Sequence, residues 1–124
     1  MQTVAIVGAS SNAERYANKA QKMLVQYGHK VIPVSMKERE ILGETTVASL
    51  ADITVPVETV TLYVGPQYQA AIIEQLKQLK PQRVIFNPGT ENPDAYAELE
   101  ALGIATEEAC TLVLLSTNQF DSLS

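Results

Sequence analysis

The stretch Val4-Ala5-Ile6-Val7-Gly8-Ala9-Ser10-Ser11-Asn12 decides the fold: four apolar residues without polar alternation run into a glycine and a cluster of small polar residues. A strand that is apolar on both faces belongs inside a parallel sheet covered by helices. Gly8 allows a sharp turn and a close approach of backbone to ligand. Tyr16, Ala20, Met23, Leu24 and Tyr27 then recur at helical spacing, so a helix over residues 15–27 follows the turn. Its first N–H groups can meet an anion, and a phosphate-bearing ligand suits that arrangement. The dinucleotide fingerprint carries glycine where this chain has Gly8, Ser10 and Ala13, and only the first is glycine. Taken alone, the motif is a weak signal, and the alternative to a ligand site is a strand-to-helix turn that binds nothing.

The pattern repeats outward from this stretch. After Gly28, Lys30-Val31-Ile32-Pro33-Val34 reads as a second strand, residues 35–40 as a loop, and residues 49–53 as a short helical turn. Thr59 to Val64 is a β-branched third strand ending at Gly65-Pro66, followed by a helix over 67–79. A fourth strand, Arg83-Val84-Ile85-Phe86, breaks at Asn87-Pro88-Gly89-Thr90, and a helix over 93–102 precedes a last short strand at 104–106. Residues 111–115 fit either a strand or a buried helical turn. Strands alternating with helices give an α/β fold: a Rossmann-like, doubly wound, parallel five-stranded sheet with helices on both faces, in expected order 3-2-1-4-5. One domain over residues 1–124 is expected. In such sheets ligands bind outside the carboxyl ends of the strands.

Charge and composition narrow the ligand. The net charge of −5 argues against nucleic acid, whose binding relies on a basic surface. No apolar run approaches ~18 residues and no secretory leader is evident, so a cytoplasmic protein without a membrane partner is expected. A single cysteine, Cys110, and a single histidine, His29, leave no internal disulfide and little for a soft metal, so no metal is expected. An NAD site wants a carboxylate at the end of the second strand, about 20 residues past the glycines. The chain has Val34-Ser35-Met36-Lys37 there, so the carboxylate reads as missing and a cation stands nearby. That favours a ligand with an extra ribose phosphate, NADP or coenzyme A, with Arg15 and Lys37 as phosphate partners.

Several motifs add up to a family resemblance. Val7-Gly8-Ala9-Ser10 with Arg15-Tyr16, Gly28 to Val34, Leu42-Gly43-Glu44 followed by Ser49-Leu50-Ala51-Asp52, and the late Cys110 resemble small, free-standing coenzyme A-binding proteins. These are related to the nucleotide-binding domain of the succinyl-CoA synthetase alpha subunit. The resemblance covers residues 3–115. It implies ligand contacts at Gly8, Ala9, Ser10, Arg15, Val34, Lys37, Tyr63 and Gly89. Tyr63-Val64-Gly65-Pro66 and Pro88-Gly89-Thr90-Glu91 look like the synthetase loops that carry the thioester-bearing arm. The chain departs from the family where asparagine-proline often follows the second strand, here Ser35-Met36, and where tryptophan-glutamine often ends the fourth, here Phe86-Asn87.

Catalytic readings are weaker. The synthetase uses a phosphorylated histidine on a separate domain that this chain lacks, and His29 reads as a surface turn residue. Cys110 reads as a small buried side chain with no histidine to activate it. Glu107 and Glu108 are adjacent on a strand and point to opposite faces. Asp52 and Glu91 lack a second carboxylate at a defined spacing. Tyr63 reads first as a packing residue. A non-catalytic module that binds coenzyme A or an acyl-CoA, acting as a sensor or with a partner protein or as a homo-oligomer, is therefore favoured. The alternative is an NADP-binding oxidoreductase or redox-responsive regulator using the same crevice.

Overall fold

Thr3–Val7 form β1, and its side chains alternate: Val4 and Ile6 enter one hydrophobic cluster, Ala5 and Val7 the other. Both faces of the strand are thus covered, as its unbroken apolar run requires. The computed structural model describes residues 1–121. The chain continues through α1 (Tyr16–Gln26), β2 (Lys30–Val34), a small antiparallel hairpin of β3 (Glu40–Ile41) and β4 (Glu44–Thr45), a 3-10 turn at Leu50–Asp52 and β5 (Thr59–Leu62). A second such turn (Pro66–Tyr68) leads to α2 (Ala70–Leu79), β6 (Arg83–Phe86), α3 (Pro93–Glu100), β7 (Ala105–Glu108) and α4 (Thr111–Ser116). The ambiguous run after Cys110 is therefore helical. Its Leu114 and Leu115 join Ala17 and Leu24 of α1 against one face of the sheet, while Ile73 and Leu76 of α2 and Ala95 and Leu99 of α3 cover the other.

The sheet is parallel and five-stranded, in the order β2-β1-β5-β6-β7. The expected order, which put the third strand outside the second, is overturned. That strand, β5, pairs with β1 from Val4↔Thr59 to Val7↔Leu62, on the side away from β2. Two physical reasons place it there. All four residues of β5 are buried, which calls for neighbours on both sides, whereas Pro33 has no N–H and suits β2 to an edge. The outer side of β2 is also taken: Ser35 N–H donates to the Val47 carbonyl at 2.9 Å and Val47 N–H to the Pro33 carbonyl at 3.1 Å.

Two further expectations change. In α1 the buried face is Ala17, Asn18, Ala20, Gln21 and Leu24, and Tyr16 and Tyr27 are exposed. Small and amide side chains let the helix sit close to the sheet, and the large tyrosines are left outside. His29 is not a surface residue either but is 7% exposed. Its Nδ1 accepts the Gln2 N–H at 3.0 Å and its ring packs on Phe120 with centroids 5.0 Å apart. A contact from the far end of the chain buries it.

Candidate ligand site at the carboxyl ends of the strands

β1 ends at Gly8, whose φ of +88° lies in the left-handed region. A Cβ there would stand 3.1 Å from Val64 Cγ2 and 3.2 Å from the Tyr63 carbonyl oxygen, so glycine is required by both conformation and space. The following loop is held from within. Ala9 N–H donates to the Val34 carbonyl at 3.2 Å, and the Ser10 hydroxyl accepts the Asn12 N–H at 3.0 Å. From below, Asn18 Nδ2 donates to the Ser10 carbonyl at 3.0 Å. Asn18 is 1% exposed and its Oδ1 has no partner among the described residues, so this amide is committed to the loop. Sequence reading missed it because a polar residue on a helix gives no sign of which face is buried.

Seven residues separate Gly8 from the helix, which starts at Tyr16 with Arg15 as its cap. No side chain caps this end and no acidic residue lies in the first turn. The helix dipole disfavours a cation at this position, and an arginine there makes sense if an anion joins it. Arg15 and Lys37 are both exposed, and neither has a carboxylate partner among the described residues.

A cavity of about 550 Å³ opens here, lined by residues 7–10, 34–38 and 48–50, by Arg15, Val64 and Tyr68, and by Ala71, Ile72 and Gln75 of α2. It lies at the carboxyl ends of β1, β2 and β5, where the chain has gone to one side of β1 and then the other. That is the switch point at which open α/β sheets bind ligands, and the volume is within the usual range for ligand clefts. Of the residues singled out in the sequence, Gly8, Ala9, Ser10, Arg15, Val34, Lys37 and Val64 line the cavity. Tyr63, Pro88 and Gly89 do not. Tyr63 packs toward the α1 and α4 face, its hydroxyl buried without a partner among the described residues, and burial pushes its phenol up. Pro88 and Gly89 stand exposed on the loop after β6, where Gly89 N–H donates to Glu91 at 2.9 Å. A larger groove, about 760 Å³, runs between residues 50–58 and 74–82. It reaches the amino ends of β5 and β6, the wrong end of the sheet for a ligand of this fold.

The carboxylate that seemed missing from the second strand's end is present. Glu38, four residues beyond β2, turns back so that its Oε2 accepts the Ser11 N–H at 3.0 Å. Hydrogen bonding from the Ser11 side chain, and then from this N–H, holds its carboxyl below the ordinary value. The remaining strand-end loops are braced by buried amides. Gln69, wholly buried, donates through Nε2 to the carbonyls of Val64 and Thr90 at 2.8 Å each, tying the loop after β5 to the loop after β6. Asn87 donates to Thr61 Oγ1 at 2.6 Å and to the Leu62 carbonyl at 2.8 Å, and accepts from the Thr111 N–H at 2.9 Å. Cys110, just before Thr111, is half-buried rather than enclosed. Glu107 and Glu108 do face apart: the first meets Arg83 at 3.4 Å, the second accepts the Tyr96 hydroxyl at 2.7 Å.

Comparison with known proteins settles the family. The sequence profile of the CoA binding domain matches residues 2–116. The chain belongs to the CoA binding domain family. A crystal structure of an uncharacterised protein is 42% identical, superposes with a TM-score of 0.91, and covers 97% of this chain and 98% of its own. A hypothetical protein from Pyrococcus horikoshii OT3 is 32% identical with a TM-score of 0.81, over 90% of this chain and 80% of its own. The uncharacterised protein YneT of Bacillus subtilis (strain 168) is 26% identical over 100 residues, 81% of this chain and 74% of that protein. No helix among the described residues of this CoA binding domain is long and apolar enough to cross a membrane.

Proposed function

We propose that this CoA binding domain protein holds coenzyme A or an acyl-CoA in the cavity at the carboxyl ends of β1, β2 and β5, does no chemistry on it, and serves in the cytoplasm as a sensor or as a partner module. The observation that carries this reading is the convergence of the Gly8 loop, the uncapped start of α1, Arg15 and Lys37 on one cavity. Loop amides and Arg15 suit the diphosphate, and Lys37 suits the ribose 3′-phosphate, through short-range charge-assisted hydrogen bonds. Such bonds are needed because a chain of net charge −5 repels a polyanion at long range. The pantetheine arm would leave across the loops that Gln69 ties together, toward Pro88 and Gly89.

Against catalysis stands the position of the candidate groups. His29 sits at the amino end of the sheet, its Nδ1 occupied by a backbone N–H, and Cys110 has no histidine near it to take its proton. Calorimetric titration with coenzyme A, NADP and NAD tests the reading. Coenzyme A is expected to bind tightest. Tighter binding of either nicotinamide dinucleotide overturns it, and NAD is the demanding control because Glu38 supplies the carboxylate that its ribose would seek.

A further inference from the structure

We propose that Glu38 is an internal stand-in for phosphate: its carboxylate occupies the Ser11 amide of the Gly8 loop until a ligand phosphate displaces it. This rests on the coenzyme A reading for the identity of the ligand, but the contact itself is independent of it. Glu38 Oε2 lies 3.0 Å from the Ser11 nitrogen, in the loop that follows the glycine turn. The residue is placed there by its own backbone. Its N–H donates to Ser35 Oγ at 3.2 Å, its carbonyl accepts the Thr46 hydroxyl at 2.5 Å, and Ser35 is itself tied to Val47 at 2.9 Å. The carboxylate therefore arrives from a loop anchored to the edge of β2 and the hairpin. Of the charged side chains lining the cavity, Arg15 and Lys37 are cations and Glu38 is the anion.

A loop N–H donates to one anionic oxygen at hydrogen-bond distance. A phosphate oxygen at Ser11 would stand about 3 Å from the carboxylate, would compete with it for the same N–H, and would repel it as a like charge even at this exposed contact. The carboxylate must swing out, and binding exchanges one anion for another. Two consequences follow. The loop keeps its anion-binding shape in the free protein, and affinity for phosphates is held below what the loop and its two cations could deliver.

Glu38→Gln keeps size and an acceptor oxygen but removes the charge, and the difference between a charge-assisted and a neutral hydrogen bond predicts about tenfold tighter binding of coenzyme A and of inorganic pyrophosphate. Adenosine, which has no phosphate, should bind the two proteins alike. Unchanged affinity for both phosphates overturns the proposal. Weaker binding of coenzyme A and adenosine together also overturns it, since Glu38 would then be accepting from a ribose hydroxyl. The Ser11 amide resonance reports on the contact directly. It should shift on Glu38→Gln substitution and on adding pyrophosphate to the wild type, and a resonance unmoved by both sinks the idea. If coenzyme A fails to bind the wild type while pyrophosphate still displaces Glu38, the coenzyme A reading fails and the stand-in survives.

Discussion

The two ends of the same sheet treat charge in opposite ways. At the amino ends, Arg83 is 3% exposed and spends its guanidinium inward, on the Thr59 hydroxyl at 3.1 Å, the Phe120 carbonyl at 2.8 Å and Glu107 at 3.4 Å. Thr59 in turn donates to Gln2 Oε1 at 2.6 Å, and His29 accepts from the Gln2 backbone. At the carboxyl ends, Arg15 and Lys37 stand exposed near the start of α1, which no side chain caps. Polar groups that satisfy one another build structure, and polar groups left facing a cavity are available to a ligand. The difference assigns stability to one end and binding to the other.

The largest effect should come from the closed end. Arg83→Ala leaves the Phe120 carbonyl and Thr59 hydroxyl buried with fewer partners, at about 1–3 kcal/mol for each group left short, and also removes the packing of the guanidinium on the Phe120 ring. Urea unfolding measures it, and a loss under 1 kcal/mol would break the contrast. At the open end, Arg15→Ala and Lys37→Ala should each cost about 1–3 kcal/mol of coenzyme A affinity, roughly five- to 150-fold. Their unfolding midpoints should stay close to wild type. Dephospho-coenzyme A separates the pair: Arg15→Ala weakens both ligands, whereas Lys37→Ala weakens only the one with the 3′-phosphate.

A smaller, pH-dependent loss belongs to His29. Burial lowers its folded-state pKa below the ordinary 6.5, with the nearby Asp121 opposing and the amino terminus and Arg83 reinforcing the shift. The unfolded chain thus takes up the proton first as pH falls. Stability present above about pH 6.5 declines on acidification toward the lowered pKa and levels off beneath it. Urea midpoints of the wild type should fall over that interval, and those of His29→Gln should fall less. Equal slopes would show that another group controls the acid side. Smallest is Tyr96→Phe, about 0.5–1.5 kcal/mol for its bond to Glu108. In the wild type, burial and Glu108 push that phenol up to about 12, which absorbance titration can read.

What could be read in advance followed from local period. The unbroken Val4–Val7 run, the stripes of α2 and the Pro93 start of α3 placed strands and helices correctly, because a period of two or 3.6 is written in adjacent residues. The side of β1 on which β5 lies is not local. Pro33 did carry that information, since a strand without one N–H is poorly suited to the middle of a sheet. Around the cavity, the Gly8 loop, Arg15 and Lys37 were legible as a spacing, while Asn18, Gln69 and Glu38 were not. Glu38 reaches Ser11 only because Ser35 and Thr46 bend the loop, and two residues 27 apart in sequence give no periodic sign of meeting.

The hairpin of β3 and β4 and the segment after it have a bearing on how the protein behaves in a crowd. An uncovered edge strand is a template on which another chain can add, and it is the usual starting point for edge-to-edge aggregation. Here the carboxyl end of the β2 edge is closed by Val47, which donates to the Pro33 carbonyl and accepts from the Ser35 N–H, and the opposite edge, β7, ends in Glu107 and Glu108, whose charges repel an added strand. The first guard is made of backbone and the second of charge. Removing those charges would thus expose the β7 edge, so any self-association by strand addition in a Glu107→Gln, Glu108→Gln variant should grow from β7.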